Sequence, residues 1–330
     1  MLKVGLFFGG PGNEAEVSLL SAANVIKNFD YRKYQLVLIY WHKSGQFFKL
    51  KKIEDIKAIK THKALSSADF RHYFDVALLM THGRFGEDGV LQGILESQAL
   101  PYSGSKVLSS ALCMDKALFK LLMRGARLSQ LPFFVIDYQR DDLSLQKDIV
   151  VQAKKTLSFP VYVKPANSGS SVGISKLNNW RYLQSALTEA KRHDQKVIIE
   201  QGLVSPREIE VAVLGNDKLT ISRPGELKLQ QDFYDYDEKY KKGRTEMLIP
   251  AHISKQQELK IITMTQQAYR LADCRGFARV DFFLKDKKIY LNEINTLPGF
   301  TDISMYPMLM ANKGISYQQL INRLIELAIK

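Results

Sequence analysis

The segment from Gly276 to Ser304, GFARVDFFLKDKKIYLNEINTLPGFTDIS, constrains the fold more than any other part of this chain. Its first half alternates apolar residues with Arg279 and Asp281, the four residues KDKK interrupt the pattern as a turn, and IYLNEIN alternates again. A side-chain period of two on both sides of a short polar turn predicts a β-hairpin with one wet face. The same period puts Arg279 and Asp281 on one face, and Glu293 and Asn295 on one face of the partner strand. Two carboxylates, an amide and a guanidinium then share a small patch. An all-oxygen set of Asp281, Glu293 and Asn295 suits Mg²⁺, a hard cation that completes its shell with water and phosphate oxygens. Arg279 is the group expected where negative charge develops in a reaction. A solvated hairpin face would explain Asp281 alone, but its occurrence with Asn295 and the turn-rich, apolar TLPGFTDIS favours a functional site.

The remaining composition narrows the class. At 330 residues the chain is long enough for two or three domains with their own cores. Only Cys113 and Cys274 are present, each in a helical pattern, so both read as core thiols and neither a disulfide framework nor a thiolate metal site is expected. MLKVGLFFGG reads as a first strand entering a glycine turn: its apolar run is short for a secretory signal and lacks a small-residue cleavage site. No apolar run reaches membrane-spanning length, and the expected compartment is the cytoplasm. The net charge of +13 is concentrated in stretches such as Lys49 to Lys63, but no aromatic platform or recognition module accompanies it. Solvated lysines with some attraction for small anions are the expectation, and nucleic-acid binding is not.

In chain order, strand LKVGLFF leads through GGPGNEAEVS to a helix over about residues 15 to 28, with Asn13 and Glu16 spaced as a capping box. Further strands are expected at Gln35 to Tyr40 and Tyr73 to Met80, and a helix at VLQGILESQ. This alternation argues for a parallel sheet with functional loops beyond the strand ends. His82 sits in such a loop, where contact to a ligand and a local hydrogen bond are equally open. Residues 107 to 125 read as one helix containing Lys116 and ending at Gly125. VYVKP, ANSGSSVG and ISKL form a strand, a glycine- and serine-rich turn and a strand: a flap whose amides can curl around an anion beside Lys164, not a GxxxxGK[ST] phosphate loop. After a helix over Asn178 to Arg192, strands KVIIEQ and REIEVAVLG follow, and Glu208 and Glu210 make one face of the second acidic and open. Pro224 to Thr245 has no clean period and reads as a long loop of the kind that covers a site. Helices over Ser254 to Asp273 and Ser316 to Ile329 each begin with Ser followed three residues later by Gln.

Taken together these signatures resemble the D-alanine:D-alanine ligases of the ATP-grasp family over essentially the whole chain. The resemblance is carried by Glu16 in NEAEVS, HGRFGEDG at 82 to 89, MDK at 114 to 116, VKPANSGSSVG at 163 to 173, FYDYDEKY at 233 to 240, ARVDF at 278 to 282 and NEINTLPGFTDISMYP at 292 to 307. The family text near the first glutamate is closer to SAEHEVS, and the position of Asp302 is commonly proline.

The resemblance implies an α/β fold: an N-terminal parallel-sheet, Rossmann-like domain (1–105) and two ATP-grasp subdomains (106–204 and 205–330) that sandwich ATP. It implies ATP-dependent ligation of two D-alanines to D-alanyl-D-alanine through an acyl phosphate, for peptidoglycan synthesis, with two Mg²⁺ (or Mn²⁺) on Asp281, Glu293 and Asn295, commonly by a homodimer. Lys116, Lys164 and Lys239 would contact phosphates under the flap formed by Gly169, Ser170, Ser171 and Val172, with Asn292 and Glu293 beside them. The backbone near Glu200, Gln201 and Leu203 would read adenine, and Glu208 would hold the ribose hydroxyls. Glu16 would bind the ammonium of the first D-alanine and Ser304 the carboxylate of the second. Arg279 and the backbone at Gly299 would steady the oxyanion, Ser170 and Tyr240 would orient loop and substrates, and His82 belongs to the same catalytic set. Another carboxylate–amine ligase is the nearest rival, and a regulatory nucleotide-binding module would be expected to lack Arg279, Asp281 or Glu293, all of which are present.

Overall fold

The structure is a computed structural model that describes residues 1–169, 172–229 and 245–330. Among these, β1 (Leu2–Gly9), α1 (Ala15–Asn28), β2 (Tyr34–Trp41), β3 (Phe47–Leu50), α2 (Phe70–Tyr73), β4 (Val76–Leu79) and α3 (Val90–Ser97) build the first layer. Its sheet order is β3-β2-β1-β4, with β1 parallel to β2 and β4 and β3 antiparallel at the edge. β4, and β1 from Val4 onward, are apolar because both faces are covered there, the pattern of a buried parallel sheet. Phe7 anchors one face, with edge-on contacts to Phe47, Phe70 and Phe74 at 6.0, 5.4 and 5.4 Å between ring centres. Ser18 of α1 accepts a hydrogen bond from Gly9 N–H (2.7 Å) and donates one to the Met80 carbonyl (2.6 Å). It thereby locks the helix start to the carboxyl ends of β1 and β4, where loops of a parallel sheet carry function.

Then follow α4 (Val107–Met114), α5 (Lys116–Gly125), β5 (Phe133–Asp137), α6 (Leu143–Thr156), β6 (Val161–Pro165), β7 (Ser175–Leu177), α7 (Leu183–His193) and β8 (Lys196–Gln201). The four strands form an antiparallel sheet in the order β5-β8-β6-β7, packed on α6 and α7 through Ala153, Leu183, Leu187 and Val197. The last part comprises β9 (Arg207–Leu214), β10 (Thr220–Ile221), β11 (Gly225–Leu229), β12 (Thr245–Leu248), α8 (Lys255–Leu271), β13 (Phe277–Lys285), β14 (Lys288–Asn295), α9 (Met305–Asn312) and α10 (Tyr317–Ala328). Its sheet runs β12-β11-β9-β13-β14, with β10 on β9. Val211, Val213, Val280 and Phe282 meet Ile261, Met264 and Ala268 of α8 in its core. The chain then returns: Leu320, Ile321, Leu324 and Ile325 of α10 share one core with the first sheet, joined there by Phe277, Phe300 and Tyr306. The third sheet is in this way clamped to the first.

Several local expectations change. The helix expected over 107 to 125 is two, because Asp115 (φ −78°, ψ 92°) leaves the helical region and its carboxylate caps the N–H groups of Ala117 and Leu118, both at 3.0 Å. No capping box forms at Asn13 and Glu16; Glu14 is the N-cap of α1, without a side-chain bond. The capping boxes at Ser254 with Gln257 and at Ser316 with Gln319 do form. Pro224 to Thr245 begins and ends in paired strands, from Glu226 opposite Leu248 to Leu229 opposite Thr245, and its residues 230–244 lie outside the described residues. KDKK is tighter than a four-residue turn: Lys285 pairs with Lys288, leaving Asp286 and Lys287 to reverse the chain, with Asp286 at φ 54°. Tyr73 ends a short helix, and its strand starts at Val76. Cys113 and Cys274 are buried thiols, their sulfurs 3.8 Å apart. Among the described residues no helix is long and apolar enough to cross a membrane.

Candidate active site

A cavity of about 1090 Å³ lies where loops of the first sheet meet the second and third sheets. Its wall is the wet face of the β13–β14 hairpin. Arg279 pairs with Asn295 and Asp281 with Glu293 across the two strands, the juxtaposition that period two requires. A β-bulge follows, since the next pair is Phe282 with Leu291. The extra residue, Asn292, therefore lines the cavity beside Glu293, while Ile289, Leu291 and Ile294 stay in the core. The break was visible as apolar spacing of two, then three, in IYLNEI.

Arg279 grips Asp281 through two hydrogen bonds, Nε to Oδ1 at 2.8 Å and a terminal N–H to Oδ2 at 2.7 Å, and contacts Glu210 at 3.0 Å. Burial opposes its charge, but Asp281 and Glu210 outweigh burial and raise the guanidinium well above its usual range. Glu210 is thus buried against Arg279 and not part of an open acidic face. Asn295 donates to Asp281 Oδ2 at 2.9 Å, and Glu293 lies 3.6 Å from Lys116. Among the described residues no three His, Cys, Asp or Glu side chains are grouped so as to hold a metal ion by themselves. Two facing carboxylates and one amide remain, a set that fits Mg²⁺ or Mn²⁺ completed by water and phosphate oxygens.

Opposite the hairpin, Lys116 is the first residue of α5, held there by the Asp115 cap and by its own N–H to the Ala166 carbonyl (3.1 Å). Its ammonium donates to the Ser168 carbonyl at 2.9 Å, at the base of the flap. Asn167 anchors that base to Asp194 through backbone and side-chain bonds of 2.8 and 3.0 Å. Gly169 lines the cavity, whereas Val172 does not and lines a small neighbouring pocket with Asn13 and Asn167; Ser170 and Ser171 lie outside the described residues, as do Lys239 and Tyr240. Lys164, next to last in β6, reaches Glu200 Oε2 at 2.5 Å, while Lys120 holds Oε1 at 2.5 Å. Burial alone would raise the Glu200 carboxyl; Lys120 and Lys164 more than reverse this and hold it below its usual range. Lys120 was not among the expected site residues. The N–H groups of Gln201 and Gly202 are committed to the carbonyls of Pro132 (2.9 Å) and Pro160 (2.7 Å). Leu203 is the first amide of that run without a carbonyl partner among the described residues, and Glu208 lines the cavity beyond it.

The third side belongs to the first sheet. Glu16 does not reach the cavity; it is exposed on the outer side of α1. Glu14 lines the cavity instead, and its Oε1 lies so close to Gly83 and Gly169 that a Cβ on either would sit 2.9 and 2.8 Å from it. Helical spacing carried the signal: position 14 precedes the buried Ser18, Ser21 and Val25 by one, two and three turns, and position 16 falls off that stripe. His82 is buried with both ring nitrogens engaged, Nδ1 with the Leu297 carbonyl (2.9 Å) and Nε2 with Ser21 Oγ (2.8 Å). A carbonyl only accepts, so Nδ1 carries the proton; burial lowers the ring's pKa, so Nε2 accepts from Ser21. Ser21 Oγ in turn accepts from Phe300 N–H at 3.2 Å, and the pair pins the LPGF turn to α1. Gly299 and Ser304 meet beyond it: a Cβ at Gly299 would lie 2.9 Å from Ser304 Oγ. Ser304 is the N-cap of α9 but makes no cap bond with its side chain; the hydroxyl meets Thr301 Oγ1 at 2.8 Å and accepts from Thr301 N–H at 3.0 Å. Glu87, also not among the expected residues, lines the cavity, and burial followed by the charge of Glu14 pushes its carboxyl up to about 8 against the pull of Lys116.

Comparison with known proteins agrees along the whole chain. Residues 3–105 match the family described as D-ala D-ala ligase N-terminus, and residues 122–326 that described as D-ala D-ala ligase C-terminus. The D-alanine–D-alanine ligase of Caldicellulosiruptor bescii is 43% identical, covering 100% of this chain and 95% of that protein. The ligase of the same name from Chloroherpeton thalassium is 42% identical, with 99% and 96% covered. Among solved structures, the VanG D-Ala:D-Ser ligase from Enterococcus faecalis superposes with a TM-score of 0.88 at 32% identity, over 99% of both chains. The D-alanine-D-alanine ligase from Coxiella burnetii gives 0.85 at 30% identity, over 100% of this chain and 95% of that one. With the three sheets closing on one cavity in the ATP-grasp arrangement, this chain belongs to the D-alanine–D-alanine ligase family.

Proposed function

We propose that the protein joins two D-alanines into D-alanyl-D-alanine, driven by conversion of ATP to ADP and phosphate, for peptidoglycan precursors in the cytoplasm, and that it acts as a homodimer. The domains are 1–105, 106–204 and 205–330. The observation that carries the reading is the convergence on one cavity of an acid-and-amide patch at Arg279, a lysine-lined wall at Lys116 and Lys164, and a carboxylate at Glu14.

The nucleotide lies between the second and third sheets. Leu203 offers its N–H to adenine, Glu208 takes the ribose hydroxyls, and Lys116, Lys164 and, outside the described residues, Lys239 bind phosphates. Asp281, Glu293 and Asn295 would hold two divalent ions, Mg²⁺ or Mn²⁺, with Asn292 alongside; when bound, such ions neutralise the transferring phosphoryl group. The carboxylate of the first D-alanine attacks the terminal phosphate, giving an acyl phosphate and ADP. Glu14 takes its ammonium, the role earlier expected of Glu16. The N-terminus of α9 and Ser304 bind the carboxylate of the second D-alanine. Its amine attacks the acyl carbon, Arg279 and the Gly299 N–H stabilise the tetrahedral oxyanion, and phosphate leaves. Ser170 and Tyr240 are assigned to orienting the flap and the first substrate. His82 acts by holding the LPGF turn in place.

The test is ADP release with D-alanine, L-alanine, D-serine and D-lactate in parallel, each product identified by mass. Predominant D-alanyl-D-alanine is expected. A mixed D-alanyl-D-serine product, an ester, or ADP release independent of amino acid would overturn the reading.

A further inference from the structure

Lys120 is the most deeply buried cation of the cavity region: 1% exposed, behind the wall and not in it. An isolated ammonium could not remain charged there, and its partner is the 4%-exposed Glu200. That carboxylate is shared, Oε1 with Lys120 and Oε2 with Lys164, both at 2.5 Å. Two ammonium groups and one carboxylate leave one positive charge in excess. Of the two lysines only Lys164 lines the cavity, so the excess is expressed there. Lys120 sits one helical turn beyond Lys116 on α5, and the same helix presents Lys116 to Glu293 on the opposite wall.

We propose that Lys120 is a positioning residue of the nucleotide site: by occupying one oxygen of Glu200, it keeps that carboxylate from neutralising Lys164, which then meets phosphate as a net cation. The inference deepens the ligase reading and rests on it for the identity of the nucleotide. Without Lys120, Glu200 and Lys164 form a closed neutral pair, and the wall loses its charge. Removing the Glu200 charge as well restores a single positive group, Lys164.

The test uses the full chain with Lys120→Met, Glu200→Gln and the double variant. Binding of a non-hydrolysable ATP analogue with Mg²⁺ is measured by calorimetry without D-alanine, and KM for D-alanine at saturating ATP is measured in parallel. Lys120→Met should raise the analogue Kd by about tenfold or more, with KM for D-alanine within about twofold of wild type. The double variant should return to within about threefold of wild-type affinity, a rescue that loss of packing would not produce. Unchanged affinity in Lys120→Met, or a double variant no better than the single one, overturns the proposal. If Lys120→Met does not fold, the double variant decides alone: near-wild-type affinity supports the proposal and a tenfold loss refutes it. Wild-type protein that binds the analogue but forms no dipeptide would refute the ligase reading and leave the role of Lys120 standing.

Discussion

Glu14 and Glu16 stand two residues apart, carry the same group, and should behave in opposite ways. Glu14 lies at the cavity wall between the loops of Gly83 and Gly169, whereas Glu16 points outward from the first turn of α1. Replacing Glu14 by Gln keeps the shape and removes the charge, so it subtracts the charge-assisted part of the bond to the substrate ammonium. Such bonds are worth about 1.5–3 kcal/mol, which converts to a loss of about 10- to 150-fold. The loss should fall on kcat/KM for D-alanine, read as ADP release at saturating MgATP with D-alanine varied, while KM for ATP stays within about twofold. Glu16→Gln should be indistinguishable from wild type. The reasoning is refuted if the two variants are equally impaired, or if Glu14→Gln keeps more than half of wild-type kcat/KM.

Asp281→Asn and Glu293→Gln should each lose most Mg²⁺-dependent turnover, because both groups line the cavity; Glu293→Gln should melt close to wild type, whereas Asp281→Asn also breaks the two-point pair with Arg279 and should melt lower, and retained turnover at low Mg²⁺ would contradict the metal assignment. Asp115→Ala removes the cap of Ala117 and Leu118 and the 2.6 Å ion pair to Lys196, and should lower unfolding free energy by about 1–2 kcal/mol in denaturant titration. It should also weaken phosphate binding, since Lys116 starts the capped helix. Glu87 keeps its proton in the folded, metal-free chain up to about pH 8, whereas the unfolded chain releases it near 4.5. Its contribution to stability is therefore present below about 4.5 and is lost as pH rises toward 8, so Glu87→Gln should flatten the decline measured by denaturation in chelator across that window. An unchanged slope would refute that assignment.

Much of this site was legible as residue spacing. Period two on either side of KDKK put Arg279, Asp281, Glu293 and Asn295 on one face, and the observed register pairs them in that way. The Ser–Gln signals before α8 and α10 became capping boxes because both partners lie within one turn, where local geometry suffices. Errors arose where a local pattern had two solutions. Residues 107 to 125 keep a helical period through Asp115, yet a short acidic side chain can cap its own backbone, and the contact with Lys196 on another element favours the break. NEAEVS offers two glutamates: helical spacing puts position 14 in line with Ser18, Ser21 and Val25, and the way α1 lies on the first sheet turns that stripe, and Glu14 with it, to the cavity.

The hairpin and its shared polar face, the parallel first sheet, the lysine-bearing strand before the flap and the family could all be read from the chain, because these rest on periods and motifs written within short stretches. Tertiary structure decided which charges are in use. Lys120 looks like any helix lysine until Glu200, 80 residues away, arrives on the neighbouring strand to be shared with Lys164. Arg279 adjoins Asp281 in the sequence pattern, but its hold on Glu210 comes from the pairing of β9 with β13. His82 acquires both its partners from segments distant in the chain, Ser21 and Leu297. The physical reason is common to all three: a buried charge or ring nitrogen is defined by the group that satisfies it, and that group is brought by the fold and not by neighbours in sequence.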